Sequence, residues 1–146
     1  MRARDLLGVK ARVGELMAES PGLAGVEILS AYPNGRHIPL GGAALIISID
    51  GIELTPAGLG GFGGEISGQG ALLTLRLDFL SPGRDGPELY PFFEAAAASL
   101  TENGGRLGIS RFWVQSLAWE EAANSYRLSA NLALKGRGRC PEAYLE

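Results

Sequence analysis

The stretch ALLTLRLDFL, Ala71 to Leu80, constrains this chain more than any other. Leu73, Leu75, Leu77 and Phe79 alternate with Thr74, Arg76 and Asp78. A period of two puts the apolar residues on one face of a strand, whereas a helix would scatter them around its circumference. One face of such a strand needs cover, so the chain must supply further strands and a layer to pack on them.

The last third supplies two more strands. Ile109 to Trp119 is rich in aromatic and β-branched residues. Tyr126, Leu128, Ala130, Leu132 and Leu134 alternate with Arg127, Ser129 and Asn131, and EEAANS between the two runs reads as a hairpin connection. Earlier, Val26 to Tyr32 reads as a strand closed by Pro33-Asn34-Gly35, and Leu45 to Ile49 as a short buried strand. Asp50-Gly51 then signals a tight turn, with Ile52 to Leu54 as a brief return strand.

Two segments carry helical spacing and supply the cover. Leu6, Val9, Val13, Leu16 and Met17 make an apolar stripe within Arg4 to Glu19, ended by Ser20-Pro21-Gly22. Leu89, Phe92, Phe93, Ala96, Ala97 and Leu100 make a second stripe, with Pro91 in the first turn and Asn103-Gly104-Gly105 as the stop. The order helix, strands, long strand, helix, hairpin predicts an α+β fold. Two helices pack on one face of a mainly antiparallel sheet, in a single domain over 1–146.

Charge and cysteine content narrow the function classes. The formal net charge of -3 argues against a dedicated nucleic-acid binder, which would need Lys and Arg to neutralise phosphates. Basic residues cluster at MRARDLLGVKAR and at KGRGR, Lys135 to Arg139; both read as solvated tails, the second as a disordered end over about 136–146. Cys140 is the one cysteine, which excludes an intrachain disulfide and fits a reducing cytoplasm. No apolar run approaches the ~20 residues that cross a bilayer, and Gly8, Lys10, Arg12 and Gly14 interrupt any signal-peptide core. The expectation is a soluble cytoplasmic product with no membrane partner.

GLGGFG, Gly58 to Gly63, fits the G-x-G-x-x-G spacing of dinucleotide loops. Such a loop needs a strand just before it and a helix just after it, so that helix N–H groups face the phosphate. Here Thr55-Pro56-Ala57 precedes and Gly64-Glu65-Ile66-Ser67-Gly68-Gln69-Gly70 follows, too rich in glycine to start a helix. A P-loop lysine is missing as well. One His and one Cys cannot close a zinc site. His37 has no nucleophile placed near it by sequence, and Cys140 has no local activator. Glu120 and Glu121 read as hydrated hairpin acids, and Asp78, beside Arg76 on the polar face of the long strand, as a group paired with a neighbouring strand. No cofactor, metal or catalytic cluster is assigned, and the chain is read as a non-enzyme. The long loops Pro33 to Gly42 and Thr55 to Gly70 are of a kind that is commonly functional or ordered by a partner.

Three segments in order, YPNGRHIPLGGAALIISIDGIELTPAGLGG, GALLTLRLDFLSPGRDGPELYPFFEAAAASL and the closing hairpin, resemble the tail-terminator (tail-completion) proteins of tailed bacteriophages and prophages. The likeness spans about Leu6 to Lys135 and implies a tail-terminator-like fold and a structural role. Such proteins form a homo-oligomeric, hexameric ring that caps the tail tube and meets the head-completion (neck) proteins. DNA passes through the channel, where an acidic balance would not retain phosphate. The implied place is the bacterial host cytoplasm during assembly and then the head-proximal end of the virion tail. Within that reading Arg36, His37, Gly58, Leu59 and Phe62 are expected to meet a subunit or partner, and Arg84 and Asp85 to pair across subunits. The alternatives are another tail or neck component, such as a tube or head-tail connector protein, or a small ligand-binding module using the glycine-rich loop.

Overall fold

The computed structural model describes residues 6–29, 42–55, 69–103, 105, 107–121 and 124–138. An α-helix, Leu6–Ala18 (α1), is followed by a 3₁₀ turn, Pro21–Leu23, and a short strand, Glu27–Leu29 (β1). Two long strands, Ala44–Thr55 (β2) and Gln69–Leu80 (β3), lead to a 3₁₀ turn, Gly86–Leu89, and the helix Tyr90–Asn103 (α2). The strands Ile109–Glu120 (β4) and Ser125–Gly138 (β5) close the fold. These strands make one five-stranded sheet in the order β1-β2-β3-β5-β4, antiparallel except for the parallel β1–β2 pair. The fold is α+β, as the alternation predicts.

The apolar face of that sheet is built by register. Ile47 pairs with Leu77, which pairs with Ala130, which pairs with Val114; one row away, Ile49, Leu75, Leu132 and Phe112 line up the same way. Val13, Leu16 and Met17 of α1 and Ala96 and Leu100 of α2 join this face in one core cluster, so both helices cover the same side. At Gly14 α1 faces β1 and β2, where a Cβ would make ordinary contacts, 3.8 Å from Ile28 and 3.9 Å from Ile47. Between the helices, Ser99 Oγ donates to the carbonyl of Leu16 at 3.0 Å, and the 3₁₀ turn at Gly22 abuts Ala95. Phe79 stacks on Phe92 at 6.4 Å and Phe93 on Phe112 at 4.6 Å, which fixes α2 over β3 and β4.

Several sequence expectations change. Asp50-Gly51 is not a turn before a return strand. β2 runs unbroken through it, and the register against β3 slips by one between Ile49 and Gly51, a bulge at Asp50. The bulge places Ile49 and Ile52 opposite Leu75 and Leu73, both on the apolar face. The run KGRGR is not wholly a tail. Lys135 to Gly138 extend β5 and pair with Leu72 to Gln69, and the Lys135 N–H donates to the Gly108 carbonyl at 2.8 Å. Of the strand expected over Val26 to Tyr32, Glu27 to Leu29 form β1 and Val26 precedes it; Ser30 to Tyr32 and the glycine-rich stretch from Pro56 to Gly68 lie outside the described residues.

Candidate interaction surfaces

On the sheet face opposite the helices, β2, β3, β4 and β5 gather polar side chains. Arg76 Nε donates to Asp78 Oδ1 at 2.9 Å and its Nη2 to Ser129 Oγ at 3.3 Å, while Ser129 Oγ donates to the same Asp78 oxygen at 2.6 Å. Asp78 is fully buried. A buried carboxylate is costly unless it is paired and hydrogen-bonded, and this network meets both needs. The pairing runs along β3 to Arg76 and across to Ser129 on β5, rather than only cross-strand. Beside it, Gln115 Oε1 accepts from Trp113 Nε1 at 3.1 Å and from Asn131 Nδ2 at 3.4 Å. Asp50, Arg76, Gln115, Ser116, Ser129 and Asn131 line a polar groove of about 360 Å³ here.

A second groove, of about 540 Å³, lies on the helix side between the C-terminal half of α2 and the start of β4. Its walls include Phe93, Ala97, Leu100, Thr101, Ile109 and Phe112, so it is mainly apolar. Gly108 at its edge has φ 71°, and a Cβ there would collide with the Lys135 carbonyl, so only glycine fits this start of β4.

The β4–β5 hairpin end carries a third surface. Trp119 and Tyr126 are paired in register, with their rings edge to face at 5.3 Å. Both alternate onto the helix-covered face, yet Trp119 is 51% and Tyr126 37% exposed. The 3₁₀ turn reaches this end, with Gly86 against Leu117 and Tyr126, but leaves Trp119 outside. Tyr90, 41% exposed, opens α2 directly after that turn. Glu120 is not simply hydrated: it forms an ion pair with Arg127, whose Nε is buried without a hydrogen-bond partner among the described residues.

The residues nominated from sequence fare differently. Arg36, His37, Gly58, Leu59 and Phe62 lie outside the described residues. Arg84 and Asp85 are exposed beside the hairpin end. The Arg84 guanidinium sits over the Phe92 ring at 5.3 Å, and the Asp85 N–H donates to the Glu88 carboxylate at 2.6 Å, the closure of a capping box. Each therefore has a role within its own chain. Trp119 and Tyr126 were missed as surface residues. The available signal was two aromatics flanking a hairpin loop, beyond the reach of a helix starting near Pro87.

Among the described residues no group of three His, Cys, Asp or Glu side chains could hold a metal ion, and no helix is long and apolar enough to cross a membrane. The described residues present a buried charge network, two grooves and an exposed aromatic pair.

No family model and no curated protein matches this chain. Among solved structures it is similar to a chain from the virion of a native gene transfer agent particle, at 16% identity and a TM-score of 0.41, over 92% of this chain and 90% of that one. A likeness at that level carries no argument about role.

Proposed function

We propose that this chain is a structural protein of a phage or prophage tail, a tail-terminator-like subunit. It assembles with copies of itself into a ring, hexameric by the resemblance, that caps the tail tube and joins it to the head-completion proteins. The observation that supports this most is the element order. A helix, strands, a long strand, a second helix and a closing hairpin follow one another, with both helices on one sheet face. That is the order the sequence resemblance implies over nearly the whole chain.

On this reading the protein assembles in the bacterial cytoplasm and ends at the head-proximal end of the tail, with DNA only passing through. The proposed subunit or partner contacts are Arg36, His37, Gly58, Leu59 and Phe62, together with Arg84 and Asp85. The last two must act while keeping the internal contacts described above, so their contribution is to present a charged rim. Electron microscopy of particles made without the protein tests the reading. Tails of irregular length, or tails without heads, are expected; tails of normal length joined to heads would overturn it.

A further inference from the structure

We propose that the two open edges of the sheet pair with each other between copies, the outer edge of β4 on one copy meeting the outer edge of β2 on the next. β4 has no strand on its outer side, and β1 covers β2 only from Ala44 to Ile46. Among the described residues β2 is therefore unpaired on that side from Ile47 onward. Ser110 and Arg111 on β4 and Asp50 to Glu53 on β2 are exposed, Ile52 by 49%. Such edges present rows of backbone N–H and C=O groups to another strand. Taking a second copy as the occupant rests on the ring reading above and gives it a contact.

The two edges are compatible in direction and in backbone. The pairs β2–β3, β3–β5 and β5–β4 are antiparallel, so β2 and β4 run in opposite directions. Copies set side by side with their helices on one face therefore bring β4 against β2 antiparallel. The bond from the Lys135 N–H to the Gly108 carbonyl makes Ile109 and Leu134 a non-hydrogen-bonded pair, so the N–H and C=O of Ile109 point outward. In L-residues the face of a side chain and the direction of its strand together fix the side to which its N–H points. Ile52, opposite Leu73, shares the helix-covered face with Ile109 but lies on an oppositely directed strand. Its N–H and C=O therefore also point outward, away from β3.

Side chains select the register. Both strands are bulged, at Ser110 and Gln115 in β4 and at Asp50 in β2, which leaves Arg111 to Val114 and Gly51 to Thr55 as the regular stretches. Setting Phe112 opposite Ile52 sets Arg111 opposite Glu53 and Trp113 opposite Gly51. On the helix side, Ile52 then meets the α2–β4 groove, whose walls include Ile109 and Phe112. Arg111 pairs with Ala133 and Glu53 with Leu72, which places both on the opposite face. There they come within the ~4.5–5.5 Å Cβ spacing of cross-strand neighbours. Gly51 has nothing within 4 Å of where a Cβ would stand, which leaves room for Trp113 and for Arg111 stacked on its ring at 4.2 Å. Like edges meeting would deprive Arg111 of Glu53, so the opposite signs favour unlike edges. The contact is heterologous: repeated, it closes into a ring or continues as an open array.

Sedimentation velocity of the full chain over a range of concentrations is the test. Wild type is expected to associate, and Ile52→Pro to weaken association by about tenfold or more by removing an outward N–H. That change takes no bond from the chain's own sheet, which an unchanged circular dichroism spectrum checks. Glu53→Arg and Arg111→Glu should each weaken association, and the two combined in one chain should restore it. A wild-type chain that is monomeric at every concentration overturns the pairing. So does association that Ile52→Pro leaves unchanged, or a double variant that associates no better than either single one. Tails terminated normally by an Ile52→Pro chain would overturn the pairing and leave the ring reading standing. A chain that associates through these edges but is absent from tails would sink the tail reading and leave the pairing standing.

Discussion

Gly14 and Gly22 both lie where a helical segment meets a neighbour, and a methyl group has opposite consequences at the two sites. At Gly14 a Cβ would make ordinary contacts with Ile28 and Ile47, so Gly14→Ala should stabilise the protein by about 0.5–1 kcal/mol through helix propensity. At Gly22 a Cβ would fall 2.5 Å from the Ala95 methyl, and both backbones are fixed by the 3₁₀ turn and α2. Gly22→Ala should therefore cost about 1–3 kcal/mol by overpacking. Urea titration of both variants checks this pair, and equal midpoints would refute it. In the sequence Gly14 reads only as an interruption of an apolar run, and Gly22 only as part of a stop signal. What distinguishes them is distance to Ile47 and Ala95, which are remote in sequence. The same limit applies to Trp119, whose strand was legible from its aromatic and β-branched residues while the end of the helix cover was not.

At the scale of elements, composition misled wherever backbone pairing outweighed local preference. Asp-Gly favours turns, but β2 is held against β3 on both sides of Asp50, and the ladder absorbs the pair as a bulge. Lys135 to Gly138 carry no apolar alternation and so read as a tail, yet the extended N-terminal part of β3 gives them backbone partners. Lys135→Pro tests this. Proline would remove the N–H that bonds the Gly108 carbonyl at 2.8 Å and would break an inner strand, flanked by β3 and β4. A loss of about 3 kcal/mol or more is expected in chemical denaturation. A solvated tail would tolerate the change, so an unchanged midpoint would restore the reading as a tail. The helices, β3 and β5 were legible because each carries a sustained periodicity, and β4 through its aromatic and β-branched content, whereas β2 reads as two pieces. β1 was legible as a strand, but its parallel pairing with β2 has no local signal and is set by the chain's path.

At the scale of the whole molecule, the fold class followed from counting layers: strands with one apolar face and two helices with one stripe each have few ways to pack. The strand order did not follow, because β5 enters between β3 and β4 and no local pattern marks that insertion. The consequence is a single core that joins α1 at one side of the sheet to the hairpin at the other. Such a molecule should unfold as one unit. Ser99 offers a probe, since its buried hydroxyl satisfies the Leu16 carbonyl in the last turn of α1, a group without an intrahelical partner. Ser99→Ala leaves that carbonyl unpaired and should cost about 1–3 kcal/mol. Both tryptophans, Trp113 and Trp119, lie on β4, at the sheet edge remote from α1, so their fluorescence reports the far side of the molecule. Helical circular dichroism reports α1 and α2. In one cooperative core the two signals coincide in wild type and shift together in Ser99→Ala. A helical transition that moves while the tryptophan transition stays in place would show that the hairpin folds apart from the helices, and that the sheet does not couple its two edges.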